Sequence, residues 1–525
     1  MNRTGQLFRA LGVLAAAFLL LAGLHVVQAD MNRQRAAHEL TETAPLENAP
    51  PVIAFTTVAL GGFRGLVADY LWLRANRLQD EGRYYELFQL ASWIVKLQPR
   101  FTGATAYLAW NMSYNISVTC NEFPDRWRWV NRGIELIRDE ALIYNPADPL
   151  LYKELAWIYH HKLGQDMDDA NRYYKIQLAR QMTVALGDPP VDWAPLIAAP
   201  VNETELRARL AAGSPLWTVL TEKGLSLREL EIRFAAGDGA IPEPAASAKL
   251  IPADRQTLLL YLRRHRLTAD LKLDPVRLAA LTKRYGPLDW RLPQAHAVYW
   301  AERGLEFVPG RKEINCERVL FQSLGQAFRS GRLIYAGSIE TLETTPNLEL
   351  FDSANQAYLD SINRHLDSNA NRSGHENFLI DAAVEFYKFG RTRKAKEILE
   401  MLRKSSDNPK FRQPLDEFVL GELASDISMA SQGQAQAAVQ GYLVQSMAAL
   451  AYGDDERAAA FELIGRKIWA KYMASIGAET KDRRGLAPFD QIKLKTLEYC
   501  RKNFPPVLTN RLPEVPKALP PPPAP

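Results

Sequence analysis

Cysteine is scarce in this chain. Three cysteines occur among the 525 residues, at Cys120, Cys316 and Cys500. They are too far apart for a CxxC motif or for the usual spacing of zinc ligands, and an odd number cannot form a complete disulfide framework. The pattern therefore excludes a small disulfide-rich fold and a cysteine-based metal centre. We expect buried thiols that pack as small apolar side chains, with one disulfide as the alternative if the chain is exported.

The chain also lacks an excess of charge of either sign. It has 64 Lys and Arg residues against 60 Asp and Glu residues, which gives a formal net charge of +4. Nucleic-acid-binding proteins usually concentrate basic residues on one face, so we expect no nucleic-acid partner. Apolar residues make up 47% of the sequence and charged residues 24%, which are ordinary values for a globular protein. A chain of this composition can bury a large core, which excludes an intrinsically disordered protein and a multi-span transporter.

The motifs of common catalytic and metal sites are absent as well. The sequence contains no HExxH, no Walker A loop, no GxSxG and no GxGxxG after a strand. His160 and His161 are adjacent, so on a helix they do not form the i, i+4 pair that a metal ion favours. Asp166, Asp168 and Asp169 lack the central Gly and the closing Glu of an EF-hand calcium loop. We therefore expect no metal, no cofactor and no catalytic residue.

The N-terminus contains a long apolar run. Residues 10–29 include no Asp, Glu, Lys or Arg, and about 20 helical residues cross a hydrocarbon layer of ~30 Å. Arg3 and Arg9 precede the run and favour an N-in orientation, which places the bulk of the chain outside the cytoplasm. The alternative is a cleaved signal peptide, because small residues end the run. We interpret residues 1–29 as an anchor or signal peptide and residues 30–51 as a tether.

From about residue 60 onward, the apolar residues follow a helical period. In the clearest example, Leu71, Ala75 and Leu78 mark one helix, Gly82 marks a turn and Ala91 lies on a second helix. This spacing resembles the tetratricopeptide (TPR) unit, in which two antiparallel helices form each repeat. The sequence therefore predicts an all-α fold, a TPR-like helical-repeat solenoid that follows an N-terminal transmembrane helix.

Loop-forming residues interrupt this pattern in the middle of the chain and at its end. Prolines cluster between Pro189 and Pro200, and residues 237–252 are rich in Gly, Ala and Pro. Four consecutive prolines at 520–523 exclude a helix there and favour an extended or disordered tail. We expect an N-terminal TPR-like array at 52–186, a Pro/Gly-rich helical insertion at 187–290, a C-terminal TPR-like array at 291–504 and a Pro-rich disordered tail at 505–525.

One tripeptide within the insertion predicts a local ion pair. Asp289, Trp290 and Arg291 lie between a Gly-Pro turn at 286–287 and Pro293. We expect Asp289 and Arg291 to pair against the indole ring and to anchor this loop. A structural role of this kind is favoured over a catalytic one.

Two longer strings resemble a known group of proteins. LGGFRGLVADYLWLR at 60–74 and YGPLDWRLPQAHAVYWAERGLE at 285–306 are similar to sequences of uncharacterised, membrane-anchored TPR-like proteins predicted in bacterial genomes. The resemblance implies a location in the cell envelope and a helical repeat. It implies no activity.

These observations favour a non-enzymatic scaffold that binds a protein or peptide partner in the cell envelope. The first helices of TPR units usually line the concave face of the solenoid, so that face is the expected binding site. The matched positions on it are Asp69, Trp72, Asn76, Lys153, Trp157, His160, Asn377, Ile380, Val384 and Tyr387.

Two other functions remain open. The first is an exported all-α hydrolase or lyase that acts on polysaccharide, which requires a deep pocket with two close carboxylates and an aromatic platform for the sugar. The second is an accessory subunit of a membrane transport or export complex, which would also use an anchor.

Overall fold

The computed structural model describes short runs and single residues between 12 and 37 and then the ranges 63–97, 101–308, 314–334, 342–423, 432–476 and 485–515. The chain divides into two compact units, residues 1–64 and residues 65–525. The described residues of 12–37 are helical, and Phe18, Leu20 and Leu24 are largely exposed. Within the described ranges, no helix has both the length and the apolar character needed to cross a membrane. Part of the expected 10–29 span and most of the expected 30–51 tether lie outside the described residues.

The chain from residue 63 onward is mostly helical, which confirms the predicted all-α class. The N-terminal part contains α1 (Phe63–Asp80), α2 (Tyr84–Leu97), α3 (Thr102–Asn111), α4 (Phe123–Glu135), α5 (Pro149–Trp157) and α6 (Asn171–Leu186). The middle part contains α7 (Trp193–Ala198), α8 (Glu203–Arg209), α9 (Leu216–Glu222), α10 (Leu227–Ala236), α11 (Pro252–His265) and α12 (Pro275–Tyr285). The C-terminal part contains α13 (Pro293–Leu305), α14 (Ile314–Ser330), α15 (Phe351–Arg364), α16 (Asn369–Lys388), α17 (Thr392–Ser405), α18 (Leu415–Leu423), α19 (Gln432–Ala451), α20 (Asp455–Ser475), α21 (Phe489–Asn503) and α22 (Pro506–Thr509).

Several of these helices form the pairs that the sequence predicts. Gly82 joins α1 to α2 and Gly390 joins α16 to α17, with φ values of 70° and 69° that favour glycine in both turns. Ala75 and Ala91 are fully buried, which fits the close helix approach expected of small residues. A regular repeat solenoid is not shown by the described helices, so the TPR-like interpretation remains a proposal.

Three helices of the N-terminal part end in an unusual way. α3, α4 and α5 each continue into a π-helical turn, at Met112–Ile116, Leu136–Ala141 and Ile158–Leu163. A π-turn contains an extra residue and shifts the side chains that follow it around the helix axis, and such turns occur often at functional sites. Two of the three carry residues of the candidate site described below.

The main hydrophobic core joins the two expected arrays directly. α5 packs against α13, although the whole insertion lies between them in sequence. Tyr152 of α5 stacks on Trp300 of α13 with ring centroids 6.3 Å apart. A Cβ atom at Gly304 would lie 2.9 Å from the Cβ atom of Tyr152, so this close contact requires glycine.

A separate core lies within the expected insertion. Buried side chains between Leu206 and Leu262 form their own cluster. Leu267, Leu278 and Trp290 belong to the main core instead. The boundary between the two cores therefore precedes residue 290, where the sequence placed the end of the insertion.

Two local features differ from the sequence expectations. A short antiparallel hairpin, β1 (Arg332–Ile334) and β2 (Glu343–Thr345), interrupts the helices. The expected disordered tail begins with helix α22, and Leu508 and Leu512 are buried in a small cluster with Met447. The prediction of a non-helical tail is therefore wrong for residues 506–509, because proline is tolerated in the first turn of a helix and these leucines gain burial. Residues 516–525 lie outside the described part of the chain.

Candidate functional site

A row of aromatic rings crosses α1, α3 and α5. Neighbouring ring centroids in this row are 4.7–6.2 Å apart, which is the usual range for interacting aromatic pairs. We call this row the aromatic strip. It consists of Trp72, Tyr107, Trp110, Tyr114, His161 and Trp157.

Helix geometry explains why these side chains align. Tyr107, Trp110 and Tyr114 follow one another at intervals of three and four residues, so they share one face of α3 and its π-turn. Trp157 and His161 are four residues apart on α5 and its own π-turn, and they stack with their planes 13° apart. Packing of α3 against α5 then brings the two faces together.

The strip is open to solvent along much of its length. Tyr107 is 43% exposed and Trp110 is 37% exposed. Phe101, which is 51% exposed, extends the row beyond Trp72. Contiguous exposed aromatic surface of this kind usually marks an interaction site in a soluble domain.

A short ladder of amide side chains lies on the same helices. Asn111 donates a hydrogen bond to Gln79 of α1, and Asn115 donates to Asn111 Oδ1 at 2.8 Å. Asn111 is fully buried, whereas Asn115 is exposed. An amide carries two N–H donors, so Asn115 retains hydrogen-bonding capacity beside the aromatic rings.

A pocket of about 350 Å³ opens beside Tyr114 and His161 of the strip. Lys162 Nζ lies 2.5 Å from Asp168 Oδ2, and Arg126 contacts the other carboxylate oxygen at 3.1 Å. Tyr174 donates its hydroxyl proton to the same carboxylate at 3.0 Å. The side chains of Lys162 and Asp168 are only 5% and 7% exposed, so this ion pair forms a fixed, nearly buried wall of the pocket.

The ionisation of this wall is set by competing effects. Burial by itself raises the pKa of Asp168, but hydrogen bonds from Lys162, the Ala170 N–H and Tyr174 outweigh it and lower the pKa to about 2. Burial and the neighbouring charge of Lys162 lower the pKa of His161. At neutral pH the pocket therefore presents an ionised, fully engaged carboxylate rather than a proton donor.

The structure brings several predicted binding residues to the strip. Trp72 and Trp157 are members of it. Lys153 lies over the Trp157 ring at 5.9 Å and pairs with Glu154 at 2.7 Å. Asn76 is half-buried on α1, and Asp69 on that helix is exposed.

His160 lies in the core rather than on the open face. Its Nδ1 is 3.1 Å from Ser323 Oγ on α14, and burial together with His161 and Arg329 lowers its pKa to about 4. The Ser–His contact resembles the hydrogen bond between the nucleophile and the base of a catalytic dyad. Ser323 is fully buried, so no substrate reaches this hydroxyl in the observed conformation.

The predicted residues of the C-terminal part lie on α16, apart from the strip. Asn377 is exposed, whereas Ile380 and Val384 are buried. Tyr387 is also buried, and its hydroxyl donates to Asp416 Oδ1 at 2.6 Å. Lys467 of α20 contacts the same tyrosine, so Tyr387 links three helices. A role of these residues in binding stays a prediction.

Sequence reasoning did not select the central residues of the strip. Tyr107, Trp110 and Tyr114 belong to a helix pair that is longer than the TPR consensus, and no binding residue was predicted there. Their spacing of three and four residues was visible in the sequence and predicts a shared helix face. That spacing alone does not distinguish an exposed aromatic face from a buried one.

The described residues contain no cluster of three or more His, Cys, Asp or Glu positioned to hold a metal ion. Comparison with known proteins adds no identity to the site. No protein-family model, curated protein or solved structure matches the chain.

Proposed function

We propose that this chain is a non-enzymatic helical scaffold that binds a protein or peptide partner in the bacterial cell envelope through the aromatic strip. The observation that carries the proposal is the half-exposed row of rings centred on Tyr107 and Trp110. Aromatic side chains supply a large contact area at a small cost in conformational entropy, and they dominate many protein interfaces.

The spacing of the strip suits an extended peptide. Alternate side chains on one face of an extended chain are about 6.5 Å apart, close to the 4.7–6.2 Å between neighbouring rings of the strip. Apolar side chains of the partner would pack on the exposed surfaces of the rings. The free capacity of the Asn115 amide would hold a backbone carbonyl, and Lys153 would attract a carboxylate. Because the rings stand on packed helices, most of the ordering cost at binding falls on the partner.

The proposal includes a TPR-like architecture and a single-pass anchor in the inner membrane. Helix pairs with glycine turns and buried Ala75 and Ala91 support the first part. The uncharged run at 10–29, preceded by Arg3 and Arg9, supports the second. The described apolar residues of that run, among them Phe18 and Leu24, are exposed on a helix.

A polysaccharide hydrolase is the alternative with which the strip is also compatible, because aromatic rings form platforms for sugars. Asp168 and Asp169 are the carboxylates of the adjoining pocket. A glycosidase needs one carboxylic acid with a raised pKa. Asp168 is instead held ionised by Lys162 and Arg126, which favours binding without hydrolysis.

The experiment compares partner retention by full-length variants purified from solubilised membranes. Trp110→Ala and Trp157→Ala should each reduce recovery of a co-purifying envelope protein, with a typical loss of ~2 kcal/mol, or about 30-fold in affinity. Tyr70→Ala is the matched control, because Tyr70 is 64% exposed on α1 but outside the strip. It should leave recovery unchanged.

Melting temperatures of the same samples separate binding from folding. Equal recovery from the Trp110→Ala variant and the native chain would refute the proposed face. Joint loss of binding and folding on Trp157→Ala would assign that residue to the core. If the native chain retains a soluble glycan instead of a protein, and the same substitutions abolish that retention, the polysaccharide alternative is favoured.

A further inference from the structure

A second pocket, remote in sequence from the strip, has a different character. It has a volume of about 480 Å³ and lies where the start of the insertion, the 282–291 segment and the β-hairpin meet. Its wall is largely apolar and includes Leu186, Val191, Trp193 and Leu288. Pockets that are preformed, mostly apolar and edged by a few polar groups are the usual form of a ligand site.

The loop that forms one side of this pocket is held rigidly. Asp289 accepts hydrogen bonds from Arg291 Nε at 2.9 Å, from an Arg291 terminal nitrogen at 2.8 Å and from the Leu333 N–H at 3.1 Å. The Trp290 indole N–H donates a hydrogen bond to Thr282 Oγ1 at 2.9 Å. The backbone carbonyl oxygen of Trp290 is 2.9 Å from His296 Nε2. A ligand would therefore meet a wall that needs no reorganisation.

Two groups at this pocket have no partner in the described ranges. The indole N–H of Trp193, which is only partly buried, has no acceptor there. Glu349 at the rim is exposed and forms no ion pair with a described residue. Exposed prolines, Pro189, Pro190 and Pro287, line the same pocket as the indole. An indole with a free donor beside flat apolar walls is the arrangement that recognises proline-rich peptides, whose backbone carbonyls are exposed.

The chain itself contains a segment of matching composition. Residues 516–525 have the sequence PKALPPPPAP, with six prolines and one charged side chain, Lys517. The basic lysine complements the Glu349 carboxylate, which forms no ion pair with a described residue. We propose that this pocket binds residues 516–525 of the same chain.

The position of residue 515 supports this assignment. Val515 and Leu512 pack in the small cluster that also contains Tyr452. Arg511 lies against Gly453, and the next residue, Asp454, is 3.6 Å from Arg332 at the pocket. A short series of contacts thus leads from the last described residues to the pocket. Ten residues in a polyproline II conformation extend about 31 Å, which is enough to cross it.

The test uses full-length protein throughout and a fluorescent peptide of residues 514–525. In one form of the chain, which we call the serine variant, each proline at 520–523 is replaced by serine. The native segment is tethered, and tethering gives it an effective concentration on the order of millimolar. We expect the peptide to bind the serine variant at least tenfold more tightly than the native chain, whose pocket is already occupied.

Substitutions in the serine variant locate the binding site. Trp193→Ala should weaken peptide binding at least tenfold, whereas Trp217→Ala should not change it. Trp217 lies outside this pocket, in the insertion core with Arg207 over its ring at 3.5 Å. Glu349→Lys should also weaken binding, and a peptide with Lys517→Glu should bind the Glu349→Lys protein more tightly than the unchanged peptide does.

The proposal fails if the native chain and the serine variant bind the peptide equally, or if Trp193→Ala has no effect while circular dichroism shows a folded protein. The proposal also fails if the native chain, when diluted, binds the peptide as tightly as the serine variant does. In that case the segment in the pocket would come from a second copy of the chain. None of these results depends on the aromatic strip, so the outcome is independent of the proposed scaffold function.

Discussion

The buried Lys162–Asp168 pair beside the strip makes a quantitative prediction about stability. Asp168→Asn removes the carboxylate charge but keeps an oxygen that accepts the Ala170 N–H hydrogen bond. It leaves the Lys162 ammonium group, which is 5% exposed, without its 2.5 Å counterion. An unpaired charge of this kind typically costs 3–5 kcal/mol of unfolding free energy, so we expect a loss of about 3 kcal/mol.

The pKa of Asp168 gives a second estimate of the same contribution. It is lowered from 3.8 to about 2, a difference that corresponds to roughly 2 kcal/mol of stability. Because the folded-state pKa is below the unfolded value, this stability is present above about pH 4. It is lost as the pH falls toward 2, and roughly half should be lost by pH 3.

Urea unfolding followed by circular dichroism at pH 7 measures the effect. Asp169→Asn is the matched control, because Asp169 is adjacent in sequence and also contacts Arg126 but is 69% exposed. It should change the unfolding free energy by less than about 0.5 kcal/mol, the usual value for a surface site. Adding Lys162→Met to Asp168→Asn should recover much of the loss, because the unpaired ammonium group is then removed.

Two results would refute the reasoning. If Asp168→Asn and Asp169→Asn lower the unfolding free energy equally, the Lys162–Asp168 pair is solvated in the folded protein. If Lys162→Met causes a further loss in the Asp168→Asn background, the destabilisation does not arise from an unpaired charge.

Three further predictions concern folding, pH and topology. Ala91→Arg should destabilise the chain strongly, because Ala91 is fully buried on α2 and a charged side chain would have to enter the core. Gln89→Arg is the exposed control on the same helix. Unfolding free energies of the two variants that agree within about 0.5 kcal/mol would contradict this packing. Burial lowers the pKa values of His160, His296 and His375 to about 4, so stability should decrease as the pH falls from about 6.5 toward 4, by up to roughly 3 kcal/mol per histidine. Urea midpoints that are equal at pH 7 and pH 5 would show that these rings are protonated freely in the folded state. Finally, alkaline phosphatase fused after the last residue should be active, because the enzyme requires export; activity of a cytoplasm-only reporter at that site would reverse the proposed orientation.

Local sequence patterns were sufficient to predict the all-α class and the clearest helix pairs, but not the β-hairpin or the short helix α22. Apolar spacing, Gly82 and Gly390 identified helix pairs, because the period of a helix and the need for positive φ in a turn are properties of a few neighbouring residues. The Asp289–Arg291 pair was also predicted and is confirmed, with two hydrogen bonds between the side chains. Residues two positions apart in a tight loop are held together by the chain itself.

The candidate site required the tertiary structure. The aromatic strip joins residues from α1, α3 and α5, and its central members follow from the sequence only as a spacing. Whether a helix face is open or covered depends on which other helices pack against it. His160 illustrates this dependence, since α14, which comes more than 150 residues later, supplies Ser323 and covers the ring.

The tail and the insertion show the same division between local and tertiary effects. Proline content predicted a non-helical segment from 505 onward, but burial of Leu508 and Leu512 supports a short helix at its start. The proline and glycine clusters of the insertion marked an interruption, but only the packing of α5 on α13 determined that the two arrays share one core. By itself, the sequence determined the all-α class and the glycine turns at Gly82 and Gly390, because backbone geometry is local. The tertiary structure alone decided which helix faces meet, because that choice depends on the burial of side chains distant in sequence.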